Sequence, residues 1–301
     1  MSKKTTIWLI IAVSLVLFGS AIFVGGMTMI KWDFRKLSTD RYETNHHEID
    51  EKYTNISIEA DTTDIVFEYS ENTKTLVACY EENKMKHSVT VSDGTLYIKV
   101  EDGRKWYEHI GIHFGTPKVT VCIPQGEYGT LEIMGSTGDV KLPRDFKFES
   151  VNIKESTGDI QLEDGFAGMV KISVTTGDVN ISNLICEGDI SVKVSTGKTS
   201  ITDVKCQNLV TDGSAGEVML KKAIAAETFS IERSTGDIKL DGCDAAEILI
   251  KTNTGDVKGS LLSDKLFSTH TNTGKVNVPK TDTGGRCEIR TNTGDIKIEI
   301  R

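Results

Sequence analysis

Aspartate follows glycine again and again in this chain: Asp139, Asp159, Asp178, Asp237 and Asp256 each sit directly behind a corner glycine. Repeated Gly-Asp pairs are a calcium signature in β-rolls, where carboxylates from successive turns surround one ion. These five aspartates are therefore the metal candidates. The column they define also holds Lys198, Glu217, Lys275 and Asp295, so lysine interrupts the acids. Calcium rolls also use a nine-residue period, which is absent here. The column reads better as a charge-balanced ladder, because stacked like charges repel.

Other chemistry-bearing patterns are weaker. "STGKTS" (195–200) imitates the end of a phosphate-binding loop, but Val192 stands where the earlier glycine is required and no helix follows. His109 and His113 lie four apart in "WYEHIGIHFG", with no evident third metal ligand. With Trp106, Tyr107 and Phe114 they are expected to form an apolar cap over the first coil, and if the protein grips a partner this tip is the first place to look. Six cysteines occur without a CxxC pair or a zinc-site spacing. Cys186 and Cys206 each lie nine residues behind a corner glycine, so stacked units would bring them within disulfide reach. No catalytic set stands out and no cofactor motif is present. The expectation is a protein that is not an enzyme.

The elements that position these residues follow from the spacing. Gly138, Gly158, Gly177, Gly197, Gly216, Gly236, Gly255, Gly274 and Gly294 recur every 19 or 20 residues. A fixed period of this size marks stacked repeats. Apolar residues stand two and four places after the glycine and five and seven places before it, as in Val151/Ile153 and Ile190/Val192. Period-two alternation rich in β-branched residues predicts strands with one buried face. Each unit is thus strand, sharp corner, strand and a looser connection. An antiparallel sandwich or propeller also fits that grammar. The substitutions favour a parallel β-solenoid: Ser195, Ser214 and Ser234 change as a block to Asn253, Asn272 and Asn292. Like residues in consecutive units suit a ladder of neighbours about 4.8 Å apart. Glycine supplies the backbone freedom of the corner, and the preceding Ser, Thr or Asn can bond local backbone groups or one another. "ISIEADTTDIVF" (56–67) is a degenerate first unit, with Thr63 in the glycine slot. The sequence ends on "IKIEIR", whose alternating charges are expected to guard the far edge of the solenoid.

Residues Ile7–Ile30 form 24 uncharged, mostly apolar positions, long enough to cross a bilayer. Small residues Gly19 and Ala21 also suit a cleaved signal peptide, but the apolar run continues beyond them, which favours an uncleaved anchor. The first 41 residues carry six basic against two acidic side chains, although the whole chain is −9. The remainder is strongly acidic and would repel nucleic acid. The expected organisation is a cytoplasmic stub and transmembrane anchor (1–30), a juxtamembrane linker (31–51), capping strands and hairpins (52–134), and a repeat β-solenoid (135–301) outside the cell.

The recurring "STGDVKL" phrase and "VTVCIPQG…LEIMGSTGDV" (119–140) make the chain similar to a bacterial β-strand-repeat family known as "putative adhesins", a domain of unknown function that includes LiaG-like cell-envelope proteins. The resemblance covers about residues 50–301. It implies a surface-exposed β-solenoid and carries no catalytic residues across. The functional expectation is an adhesin-like binding or scaffold module of the cell envelope, with a cell-wall polymer or an envelope protein as partner. The alternatives are a membrane-tethered sensor or regulator of envelope stress, and a carbohydrate-active enzyme on a β-helix.

Overall fold

In a computed structural model, residues 3–33, 41–70, 73–105 and 115–301 are described. One helix, Lys3–Met29, precedes an all-β body. At about 1.5 Å per residue its 27 residues reach roughly 40 Å, ample for a hydrocarbon core. Its mean hydropathy is 2.7 over the best window, and almost all its side chains are exposed. Length and composition suit a single-pass anchor or a signal sequence.

The body is a parallel β-solenoid. Equivalent residues of successive coils lie side by side in register: Leu131 pairs with Val151, Val151 with Val170, Val170 with Ile190, Ile190 with Leu209, and Leu209 with Phe229. All six are buried and form one column of the core. The residues two behind the corner glycine form a second column, Ile160–Val179–Thr199–Val218–Ile238–Val257. Alternation sends these side chains inward and their neighbours outward, so the interior is filled along its whole length. Ile56 and Ile58 pair with Leu131 and Ile133, and Gly138 lies against Thr63. The degenerate unit is thus the coil beneath the first true repeat.

Before that coil the pattern changes. Thr75–Glu82 runs antiparallel to both Lys118–Ile123 and Tyr42–Ile49, and Met85–Ser92 runs antiparallel to Thr95–Asp102. These strands cover the first coil. Tyr42–Ile49, expected to end the linker, is instead a full strand of this cap.

At the far end sequence order and spatial order part. Ile248 pairs with Cys287, and Cys287 pairs in turn with Phe267. The final coil (285–300) has therefore threaded between the coil at 247–261 and the coil at 265–277. Composition explains the exchange. In equivalent slots the last segment offers Cys287, Ile289, Ile296 and Ile298, all buried, whereas its displaced neighbour offers Phe267, Thr269, Val276 and Val278, with a polar threonine and smaller valines and none of them fully buried. An inner coil must bury apolar side chains against coils on both sides, so the more apolar one goes inside. The expectation for "IKIEIR" is corrected accordingly: Ile296–Ile300 lies between two paired strands, and the strand Lys265–Thr273 pairs on one side alone among the described residues.

Candidate binding face

The corner glycines form one unbroken column. Their φ angles lie between +128° and +155°, a conformation that side chains bearing a Cβ rarely adopt. Space is equally restrictive. A Cβ on Gly158 would stand 1.9 Å from the carbonyl oxygen of Gly138, and one on Gly177 would stand 2.0 Å from that of Gly158. Backbone stacks on backbone here, and nothing larger than hydrogen fits.

The aspartates behind the glycines are occupied by this stacking. Asp139 Oδ1 accepts the backbone N–H of Asp159 at 2.8 Å, Asp159 Oδ1 that of Asp178 at 2.7 Å, and Asp178 Oδ1 that of Lys198 at 2.7 Å. Asp237 and Asp256 do the same for Asp256 and Asp295, and Asp295 for Lys275. Each carboxylate ties its coil to the next. Lys258 and then the Asp295 N–H hold the Asp256 carboxyl below its ordinary range. The ladder of side-chain amides is also present, in the threaded order: Asn292 donates to Asn253 at 3.2 Å and Asn272 to Asn292 at 3.4 Å. Thr291 and Thr271 instead donate to the carbonyls of Gly255 and Gly294.

Two ionisable side chains sit inside the wall, three places before a corner glycine. Glu155 lies over Gly135 and Arg233 over Gly213; a Cβ on either glycine would collide with the end of that side chain. Arg233 is buried and donates to the carbonyl of Val194 at 2.8 Å and to the hydroxyl of Thr199 at 2.7 Å. Glu155 is buried with one carboxylate oxygen unpartnered, and burial pushes its pKa up to about 7.

A second corner column was not legible as such. Asp145, Asp164, Asn183, Asp203, Lys222 and Gly242 all have φ between +45° and +62°. Their signal was a polar or glycine residue six or seven places behind each corner glycine, without one fixed identity. Just beyond this corner the outward ladder Lys147–Phe166–Ile185–Lys205–Ile224 includes three exposed apolar side chains. Ile185 is 55% exposed, and Leu262 at 46% lies farther along the same side. Together Ile185, Ile224 and Leu262 line an open groove of about 720 Å³. Lys205, Lys222 and Arg301 edge it beside Asp203 and Asp241. Lys222 is paired with Asp203 at 3.6 Å and Arg301 with Asp241 at 2.6 Å. The groove is thus apolar along its floor and of mixed charge at its rim.

The proposed contact tip, Trp106, Tyr107, His109, His113 and Phe114, lies outside the described residues. Cys186 and Cys206 are both free, buried thiols, bonded weakly to the carbonyls of Gly168 and Ile224.

A family model described as Toastrack DUF4097 matches residues 53–188 and again residues 185–301. The chain belongs to the Toastrack DUF4097 family. The two matches overlap at residues 185–188 and together take in the repeats and the cap strands that follow Tyr42–Ile49. Among solved structures, this Toastrack chain is similar to a protein of Parabacteroides distasonis described as a "putative lipid binding protein". Identity is 13% and the TM-score 0.51, over 85% of this chain and 97% of that one. It is also similar to a "putative adhesin" of Bacteroides fragilis, at 14% identity and a TM-score of 0.42, over 85% and 97%. A "putative adhesin" of Parabacteroides merdae matches at 13% identity and a TM-score of 0.41, over 87% and 98%. At such identities the first of these likenesses speaks for the fold alone. No curated protein matches the chain.

Proposed function

We propose that this Toastrack protein is a membrane-anchored binding module of the bacterial envelope. Residues 1–30 hold it in the bilayer with the N-terminus in the cytoplasm, and residues 135–301 stand outside as a rigid wall. The observation that carries this reading is the groove at Ile185, Ile224 and Leu262. The solenoid interior is already filled, yet three large apolar side chains face outward together beside it. Clustered exposure of this kind has no folding purpose and marks a contact surface. The strongly acidic body disfavours a polyanionic wall polymer. An apolar floor with a rim of both signs suits a segment of an envelope protein. The role is binding and scaffolding, not catalysis, in keeping with relatives described as adhesins or as a binding protein.

The test is photo-crosslinking in cells. A benzophenone amino acid replaces Ile185 in the full chain, with the outward Lys154 as the control position. A discrete protein adduct from 185 alone, lost in Ile224→Lys, is expected. An adduct with lipid would transfer the groove to the occupant named for the Parabacteroides distasonis relative. No adduct from 185 would overturn the reading.

A further inference from the structure

The cap holds a group of side chains that neither the repeat nor the groove uses. Cys79 and Glu81 are two apart on Thr75–Glu82, so alternation puts both on one face of that strand. The chain then turns and presents His87 from Met85–Ser92. All three are buried, at 0%, 1% and 4% exposure. One ligand atom from each lies within 4.8 Å of the other two, the one such group of three among the described residues.

The cluster is built, and it is incompletely satisfied. Glu81 Oε1 accepts from the Asn45 amide at 2.7 Å; Glu81 Oε2 accepts the His87 backbone N–H at 2.6 Å and lies 2.7 Å from His87 Nδ1. The carboxylate is therefore fixed from two strands. His87 Nε2 is buried with no partner, and the Cys79 thiol is free. On the neighbouring strand Tyr42–Ile49, Asn45 lies opposite Cys79 and His47 opposite Val77, which puts His47 on this same face. Its Nε2 is also buried without a partner. Interior nitrogens with no donor to accept from are costly, and two of them flank one thiol and one carboxylate.

We propose that Cys79, Glu81 and His87 hold a divalent cation of the zinc class at the capped end of the solenoid. A sulfur, nitrogen and oxygen set is what borderline-soft ions such as Zn²⁺ take, whereas calcium and magnesium take oxygen alone. Binding would exchange protons for the ion: the Cys79 S–H leaves as a proton and the sulfur coordinates as thiolate. The His87 ring would coordinate as a neutral imidazole through one nitrogen and keep its single proton on the other, while Asn45 and the His87 backbone N–H keep the carboxylate in place. The site is closed, so the ion enters while the cap folds. Tyr42–Ile49 is the first strand after the membrane segment in the chain, so a filled site would fasten that strand to the cap through Asn45.

The test uses cobalt as the probe. The full chain is expressed in minimal medium with Co²⁺ replacing Zn²⁺ and purified in mild detergent. About one cobalt per chain is expected, with thiolate-to-metal charge-transfer absorption and the intense visible bands of low coordination number. Cys79→Ala and His87→Gln should each lower cobalt content at least tenfold, while the double variant Cys186→Ala/Cys206→Ala keeps it. Strand content of each variant is followed by circular dichroism. If Cys79→Ala does not fold, the wild-type spectrum decides, together with the extended X-ray fine structure of its cobalt. Sulfur and nitrogen in the first shell support the site, and oxygen alone overturns it. A wild-type chain without cobalt, or cobalt retained in a folded Cys79→Ala chain, also overturns the proposal.

Discussion

Replacing Gly197 with alanine tests the stacked corner most directly. Gly197 has φ of +144° and donates its N–H to Ala215 at 3.0 Å, while Gly177 donates to Thr196 at 3.0 Å. A Cβ on Gly197 would lie 2.0 Å from the carbonyl oxygen and 2.7 Å from the carbonyl carbon of Gly177. Ordinary contact needs more than an additional ångström, and both partners are backbone, so no side chain can swing aside. Holding alanine at this φ costs about 1–3 kcal/mol. Separating the coils weakens two backbone hydrogen bonds at about 1 kcal/mol each. The expected loss is thus about 3–5 kcal/mol. Gly94 provides the internal control: its φ is +71° but nothing lies within 4 Å of an added Cβ. Gly94→Ala should cost only the conformational part, about 1–2 kcal/mol. Denaturant unfolding of the full chain in mild detergent gives both values, and hydrogen exchange locates the damage. Protection should fall in the coils on either side of Gly197, because repeat proteins transmit stability through neighbours. A Gly197→Ala loss no larger than that of Gly94→Ala would refute the column.

The other predictions concern groups inside the wall. Arg233→Met should lower stability by about 1–2 kcal/mol because it strands the Thr199 hydroxyl, and adding Thr199→Val should recover that loss; a double variant less stable than the single one contradicts this account. Glu155, with its folded pKa raised to about 7 from 4.5, stays protonated in the fold where the unfolded chain is ionised. Stability should therefore fall by on the order of 3 kcal/mol as pH rises from about 4.5 to 7 and then level off. Glu155→Gln should flatten this window in pH-dependent unfolding, and an unchanged slope would show that another group is responsible. Burial raises the thiol pKa of Cys186, and that of Cys206 to about 12, so iodoacetamide should label neither in the native chain and both after denaturation. Intact mass after denaturing alkylation reads this directly; two missing labels would mean a disulfide.

Much of the architecture was legible because the repeat forces the same physics on every coil. The glycine column, the period-two strands and the Asn ladder all follow from what a parallel stack requires of each position, so a one-dimensional string carries them. The aspartate column was visible too, and its interruption by lysine pointed away from calcium. Its actual use, carboxylate to the next coil's N–H, needed the third dimension. The groove was hidden for a related reason. Ile185 and Ile224 occupy a slot whose residue type varies, with Lys205 between them, and outward apolar residues look like any others until the fold brings them and Leu262 to one groove. Cys79, Glu81 and His87 left a faint trace, two residues on one strand face and a histidine beyond a turn, but only folding shows that the strands close over them.

By itself the sequence determined that this protein is a stack of 19- and 20-residue coils behind an apolar helix, because local alternation and obligatory glycines leave little freedom within a coil. Tertiary structure decided which coils are neighbours. Coils 247–261, 265–277 and 285–300 share one grammar, and any order among them satisfies the corner rules. What separates them is burial on two sides rather than one, and that drives Ile289 and Ile296 inward and leaves Val276 at the exposed end.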